Sequence, residues 1–255
     1  MLDKKIRSTA AAGQDLAECE ALDSMLDNVL DKMGDDEECT IVMGLRVFYI
    51  LLCAFEQHAH DQELAKDVYA LIAPKCLPVM LEAFTKEEMG QTSRSNILVI
   101  FFLVVRGIAW ADGFHNEMVH ECLDDTFANW MALFLQILQS NTQRNFTVKR
   151  NALKCLTVIF RDLLNYSRSS LNMILKPAWK LLNQSLSIYT EVVAFGQKQT
   201  NSDGTDSDRD HINEPWEDEE EDHPIEFDGV YGMIFSSLEL LATLVQRPNV
   251  LQLLA

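Results

Sequence analysis

Apolar residues recur along this chain at three- and four-residue spacings, in long stretches separated by short polar breaks. Such spacing lines one face of a helix, whereas a half-buried strand would alternate apolar and polar residues. The sequence therefore predicts an all-α fold. The predicted helices span residues 15–32, 40–57, 61–84, 92–110, 115–138, 146–164 and 167–194, with a last helix that begins near 230 and is unfinished at 255.

The predicted helices from residue 40 onward come in pairs that repeat along the chain. The first members begin at Thr40, Thr92 and Phe146, which are 92 − 40 = 52 and 146 − 92 = 54 residues apart. The first helices are densely apolar, and the second helices have wider apolar spacing and internal prolines. A period of this size indicates a solenoid, in which stacked pairs bury faces that a lone pair would leave exposed. We therefore expect a right-handed solenoid of antiparallel helix pairs.

The composition divides the chain into four parts. We predict a polar N-terminal segment with one helix at 1–39, three helix pairs at 40–196, an acidic loop at 197–229, and the first helix of a truncated repeat at 230–255.

The two most apolar runs, 47–55 and 97–105, are far shorter than the roughly 20 residues that span a bilayer, so they predict buried helices. The six cysteines show no metal or disulfide spacing, which is typical of buried thiols in a reducing compartment.

The acidic loop carries most of the net charge. Residues 201–228 contain thirteen Asp or Glu and one Arg, so they hold 1 − 13 = −12 of the formal −18. Such a run buries too little apolar surface to offset its ordering entropy, and we expect a solvated loop that attracts basic partners. The candidate cargo-binding residues are Asp203, Asp206, Asp208, Asp210, Trp216, Glu217, Asp218, Glu219, Glu220, Glu221 and Asp222.

Within this loop, three further features suggest chemistry. Trp216 offers an apolar anchor to a basic partner, or packs back onto the helices. Asp206, Asp208, Asp210 and Glu217 occupy positions 1, 3, 5 and 12 of a calcium loop, but His211 stands where the loop requires Gly. An acidic loop without calcium is therefore the favoured interpretation. Thr205 and Ser207 each precede an Asp by three positions, a pattern that acidophilic kinases accept.

Outside the loop, the sequence offers no catalytic or cofactor motif. His58, His60 and Asp61 lie close together, but they fall in a short break between helices and indicate a solvated turn. Phosphate-binding glycine loops and the nucleophile elbow have no match. Trp130 and Trp179 are predicted to pack in the core or between repeats. We therefore expect neither an enzyme nor a bound metal or cofactor.

Several stretches of the sequence carry a resemblance to a known family: LRVFYILL, LIAPKCLPVMLEAF, SRSNILVIFF, FTVKRNALKCLTVIFRDLLNY, LNMILKPAWKLLNQSLSIYTEVV and NSDG with EFDGVYGMIFSSLEL. They resemble the importin-β-type karyopherins, which are built from HEAT repeats, and within them the importin-nine branch. The family has a Trp and then a Tyr on a second helix, matched by Trp179 and Tyr189. An acidic DSDG-bearing loop and a Phe-rich helix with a Glu follow, matched here by Asp203 with Gly204 and by Phe235 with Glu239. The similarity covers about residues 40 to 250.

The resemblance implies a nuclear import receptor that shuttles between cytoplasm and nucleus and binds basic cargo such as core histones. Ran and nucleoporins are then expected partners of a full-length form, and nucleic acid and membranes are not. Karyopherins are several times longer, so we expect a fragment, and the repeats that contact Ran in the family have no counterpart in residues 1–35. A generic HEAT-repeat scaffold for protein assembly is the main alternative. A calcium-regulated enzyme subunit is a third, which rests on the calcium-loop spacing alone.

Overall fold

A computed structural model of the chain describes residues 15–58, 62–113, 117–140, 146–200 and 227–246. These residues are almost all helical, and no strand occurs among them, so the predicted all-α fold is confirmed. The helices are α1 (Asp15–Met33), α2 (Glu38–His58), α3 (Gln62–Thr85), α4 (Gln91–Asp112), α5 (Glu117–Gln139), α6 (Phe146–Asp162), the short α7 (Leu164–Ser167), α8 (Leu171–Thr200) and α9 (Phe227–Val245).

The long helices pack as two interleaved sets. In one set α1 packs on α3, α3 on α5, and α5 on α8. In the other set α2 packs on α4, α4 on α6, and α6 on α9. The sets are joined mainly where α1 meets α2, α3 meets α4, and α8 meets α9. When the short α7 is left out, each long helix therefore packs against the next helix but one, and α1 takes part in this packing.

Hydrogen bonds between neighbouring helices of a set join residues about one predicted repeat apart. The Asn151 amide donates to Ser95 Oγ at 2.8 Å, across a sequence separation of 56 residues. The Cys155 thiol donates to the Leu98 carbonyl across 57 residues, and the Cys122 thiol to a carbonyl 53 residues earlier. These separations match the helix spacing that the sequence predicts.

An aromatic cluster lies at the centre of the core. Phe101 of α4 meets Trp130 and Phe134 of α5 with ring centroids 4.3 and 5.4 Å apart. All three side chains are buried, so Trp130 is a core residue as predicted. The Trp179 side chain is instead 58% exposed, and the prediction that it packs in the core or between repeats is wrong.

One close approach between helices depends on a glycine inside α4. A Cβ atom at Gly107 would overlap the ring and hydroxyl of Tyr69, which is buried on α3. Glycine costs roughly 1 kcal/mol in a helix interior relative to alanine, and here it opens the space that the tyrosine ring fills. The contact between α3 and α4 thus explains why a glycine, which helix propensity disfavours, stands at position 107 inside α4.

Helix starts differ from the predicted caps. The sequence predicts that Thr40 begins one helix, but α2 begins at Glu38, after an Asp35 carboxylate accepts the Glu37 amide at 2.9 Å. It also predicts that Thr92 begins a helix, whereas α4 begins at Gln91, with Gly90 as its N-cap residue. Ser93 is buried and donates to the Glu38 carboxylate at 2.6 Å. The start of α4 is thus stabilised by Glu38 of another helix and not by a side-chain cap of its own.

Helix α8 continues to Thr200, beyond the predicted end at Ala194, and α9 ends at Val245. The rest of the predicted last helix, 247–255, lies outside the described residues. The sequence Gln246-Arg247-Pro248 follows α9, and proline disfavours helical conformation in the residue before it. Two stretches are long and apolar enough to cross a membrane, Ala65–Thr85 and Gln91–Asp112. The second is 72% buried among the packed helices and the first 39%.

Three of the cysteines are buried thiols, as predicted. Cys76 and Cys155 are fully enclosed, and burial raises the pKa of both thiols far above their ordinary value. Burial likewise raises the pKa of Cys122 to about 12. Cys39, by contrast, is exposed. The buried thiols stay protonated at neutral pH, which makes them unreactive packing groups.

Candidate binding surface

The acidic segment connects two helices that pack against each other. It leaves α8 after Thr200 and enters α9 at Phe227. All of the candidate cargo-binding residues predicted from the sequence, from Asp203 to Asp222, lie outside the described residues. The calcium-loop positions, Thr205 and Ser207 lie outside them too. The structure therefore shows what holds the two ends of this segment.

Two glycines bring α9 close to α6 just after the acidic segment. A Cβ atom at Gly229 would lie 3.4 Å from Phe146 Cβ, which is van der Waals contact. At Gly232 it would lie 3.2 Å from Arg150 Cδ. Because these glycines are three residues apart, they lie on the same face of α9. Larger side chains there would push the helix off α6, so the sequence Gly-Val-Tyr-Gly fixes the start of α9.

A second group of carboxylates lies on α5, within the described residues. We call Glu121, Asp124 and Asp125 the α5 acidic face; all three are exposed. Their spacing of three and four residues places them on neighbouring positions of the helix surface. The sequence contains this group as Glu-Cys-Leu-Asp-Asp, but its charge is small beside that of residues 201–228, and the sequence alone does not show that it is exposed.

Asp124 holds the start of α8 against α5. Tyr166, in the short α7, donates its hydroxyl to Asp124 Oδ1 at 2.7 Å. His120 lies one turn earlier on α5, with Nδ1 3.1 Å from the same oxygen. The Tyr166 hydrogen bond, aided by His120, holds the pKa of the Asp124 carboxyl below its ordinary value. Burial and the neighbouring carboxylate raise the pKa of Tyr166, so it remains a donor. Asp124 therefore stays ionised at neutral pH.

An open hollow lies between α1 and α2. Its volume is about 510 Å³, and its lining is mainly apolar. Met25 and Val47 line it and are partly exposed, at 42% and 44%. Met43 and Ile50 continue the exposed apolar surface along α2. This hollow contains no cluster of carboxylates or histidines, and it gives no support to catalytic chemistry.

The histidine-rich turn is described only at its edge. His58 is the last residue of α2, while His60 and Asp61 lie outside the described residues. Within the described ranges, no group of three or more His, Cys, Asp or Glu side chains could hold a metal ion. The described residues therefore add no support to the hypotheses of a metal site or an enzyme.

Comparison with known proteins gives no match, either to a protein-family model or to a curated protein. The resemblance to the karyopherins therefore rests on the sequence stretches that carry it.

Proposed function

We propose that this chain is a segment of a HEAT-repeat nuclear import receptor of the importin-β type that binds basic protein cargo, such as core histones. In this proposal the helices form a right-handed solenoid, and the carboxylates of 201–228 and of the α5 acidic face attract the cargo. The role is binding rather than catalysis. A chain of this kind shuttles between cytoplasm and nucleus, and its full-length form binds Ran and nucleoporins.

The packing of alternate helices is the observation that carries the proposal. A solenoid requires each helix pair to contact the next pair in the same way. Here α2 packs on α4, α4 on α6, and α6 on α9. Between α2 and α4, Glu38 Oε1 accepts a hydrogen bond from the Gly90 amide, which is 52 residues away in sequence. The Asn151–Ser95 bond between α4 and α6 spans 56 residues.

The charge supports a basic partner. The segment 201–228 holds −12, and the α5 acidic face adds three exposed carboxylates on a helix that packs against α8. Complementary charge speeds encounter with a basic protein and disfavours acidic competitors. Because exposed charges are screened by salt, affinity for such a cargo should fall as ionic strength rises.

Equilibrium binding to a purified core-histone dimer tests this function. We expect a chain with residues 201–226 replaced by a short Gly-Ser linker to bind at least about tenfold more weakly than the intact chain at low salt. Glu121→Gln with Asp125→Asn should weaken binding by a smaller factor, because it removes two charges rather than most of the net charge. Asp124 is left intact in this variant because it holds Tyr166.

A matched control is Glu82→Gln with Asp67→Asn on α3. It removes the same charge from exposed positions on another helix. If the linker variant binds histones as tightly as the intact chain, the import-receptor proposal fails. The alternative, a general HEAT-repeat scaffold with an acidic segment that serves solubility, would then be favoured, since it rests on the same helix packing.

A further inference from the structure

The exposed side of α8 carries positive charge, whereas the chain as a whole is strongly acidic. Lys176 and Lys180 are one helical turn apart, and both are exposed. Trp179 lies between them in sequence, with 58% of its side chain exposed. We call Lys176, Trp179 and Lys180 the α8 basic face. It is a cationic and aromatic surface on a chain with a net charge of −18.

Most other described cations already have an acceptor. Lys75 pairs with Asp27 at 2.8 Å, and Arg161 pairs with Asp162 at 2.9 Å. In the described part of the chain, Lys176 and Lys180 have no carboxylate or carbonyl partner. Arg168, exposed just before α8, has none among those residues either. Three unpaired cations therefore lie along one stretch of the surface.

No carboxylate among the described side chains of α8 offsets these cations. The exposed side chains between 172 and 190 are uncharged apart from the two lysines, and the first acidic residue, Glu191, follows three turns after Lys180. On the adjoining α5, Asp124 is occupied by Tyr166 and His120. Glu121 and Asp125 of the α5 acidic face are exposed and form no ion pair with Lys176 or Lys180. Two lysines at this spacing repel each other, so an anionic partner would relieve a cost that the free protein carries.

Exposed apolar side chains flank the lysines. Met173 is 49% exposed and Leu186 is 42% exposed, on either side of Trp179 along the helix. A large aromatic side chain surrounded by charge is a typical anchor of a protein interface, because it buries much area with few rotatable bonds. The surface therefore combines an anchor for an apolar side chain with cations for carboxylates.

We propose that the α8 basic face binds an acidic peptide segment of a partner protein, with an apolar side chain of that segment seated on Trp179 and its carboxylates on Lys176 and Lys180. The partner is opposite in charge to the basic cargo of the proposed function, so this surface is a second and independent binding site. Charge complementarity selects the acidic partner, and the exposed aromatic and aliphatic side chains select a peptide that carries an apolar residue.

Fluorescence anisotropy with the full chain and a labelled synthetic peptide of Glu and Asp with one Phe and one Leu tests the site. We expect saturable binding that weakens with salt, and a rise in Kd of at least about tenfold for Lys176→Glu with Lys180→Glu. Trp179→Ala should raise Kd at high and low salt alike, because its contribution is apolar. Lys154→Glu, an exposed and unpaired lysine on α6, is the control and should leave Kd unchanged.

Other ligands show whether the α8 basic face prefers an acidic peptide. The same peptide with Gln and Asn in place of its acids should bind much more weakly. The proposal is overturned if the intact chain does not bind the acidic peptide, if the double lysine variant binds it as tightly as the intact chain, or if the amide peptide binds equally well. Tighter binding to a single-stranded oligonucleotide or to vesicles of anionic lipid would also overturn it, in favour of those ligands.

Discussion

The Glu38 carboxylate ties the start of α2 to the start of α4. Its Oε1 accepts the Gly90 amide at 2.8 Å and the Ser93 hydroxyl at 2.6 Å. The first amides of a helix have no partner inside the helix, so this carboxylate supplies an N-terminal cap from another helix. An acidic group also interacts favourably with the helix dipole at this end. A single residue therefore contributes both to its own helix and to the contact between two helices.

We predict that Glu38→Ala lowers the free energy of unfolding by about 1–3 kcal/mol, because it leaves the Gly90 amide and the partly buried Ser93 hydroxyl without an acceptor. Glu38→Gln should lose less, since an amide oxygen can still accept. Urea denaturation followed by circular dichroism measures the change. Glu82→Ala, at an exposed position on α3, is the control and should change stability little. Equal losses for Glu38→Ala and the control would contradict the capping role.

The Tyr166–Asp124 contact predicts a pH dependence. The folded pKa of Asp124 is lowered below its ordinary value of 3.8, so the contact stabilises the fold above that pH. This stabilisation is lost as pH falls through the lowered folded pKa. Tyr166→Phe should raise the pKa of Asp124 by removing its strongest hydrogen bond. Carboxyl chemical shifts in an NMR titration measure it, with Asp125 as the internal reference. An unchanged Asp124 pKa would show that the hydroxyl does not bind it.

Among single residues, the sequence predicts burial correctly at Trp130 and at Leu103 of the run 97–105. The prediction of a buried helix at 47–55 is wrong in part, because Val47 and Ile50 are exposed. Trp179 is not buried, because an aromatic residue on an amphipathic helix fits either the core or an interface, and only the neighbouring helices decide which. The role of Gly107 is likewise not predictable from the local sequence. A glycine is required there because the Tyr69 ring fills the space that a Cβ atom would occupy, and the local sequence does not show where Tyr69 lies.

At the scale of the element, α9 depends on its glycine contacts with α6. Gly232→Leu should force the helix away from Arg150, at a cost of about 1–3 kcal/mol from overpacking. The same change at Ala242, which is exposed on α9, should be nearly neutral and serves as the control. Hydrogen exchange should show faster exchange of α9 amides in the Gly232 variant only. Equal protection of α9 in both variants would contradict the close contact.

The helices themselves were largely predictable, and their ends were less so. Apolar periodicity located every long helix, because burial of one face determines both the pattern and the packing. The start of α4 at Gln91 lies one residue before the predicted Thr92, and the contact that stabilises it comes from Glu38, far away in sequence. The acidic segment was recognised from its charge alone, whereas the α5 acidic face and the α8 basic face required knowing which sides of their helices remain exposed.

At the scale of the whole molecule, the core and the acidic segment should be separable. Replacing 201–226 with a short linker should change the unfolding temperature little, since the segment brings few apolar side chains. Leu103→Asp or Phe160→Asp should unfold the chain, because each places an unpaired charge at a buried site. Thermal unfolding followed by circular dichroism measures both. A large stability loss in the linker variant would show that the segment packs on the helices.

Stopped-flow association with a core-histone dimer at several ionic strengths measures whether the acidic residues of this chain attract a basic cargo, as proposed. Glu219, Glu220 and Glu221 changed together to Gln should lower the association rate and flatten its dependence on salt. Trp216→Ala should mainly raise the dissociation rate, because an apolar anchor acts after docking. An association rate that responds neither to salt nor to the Gln substitutions would contradict the account.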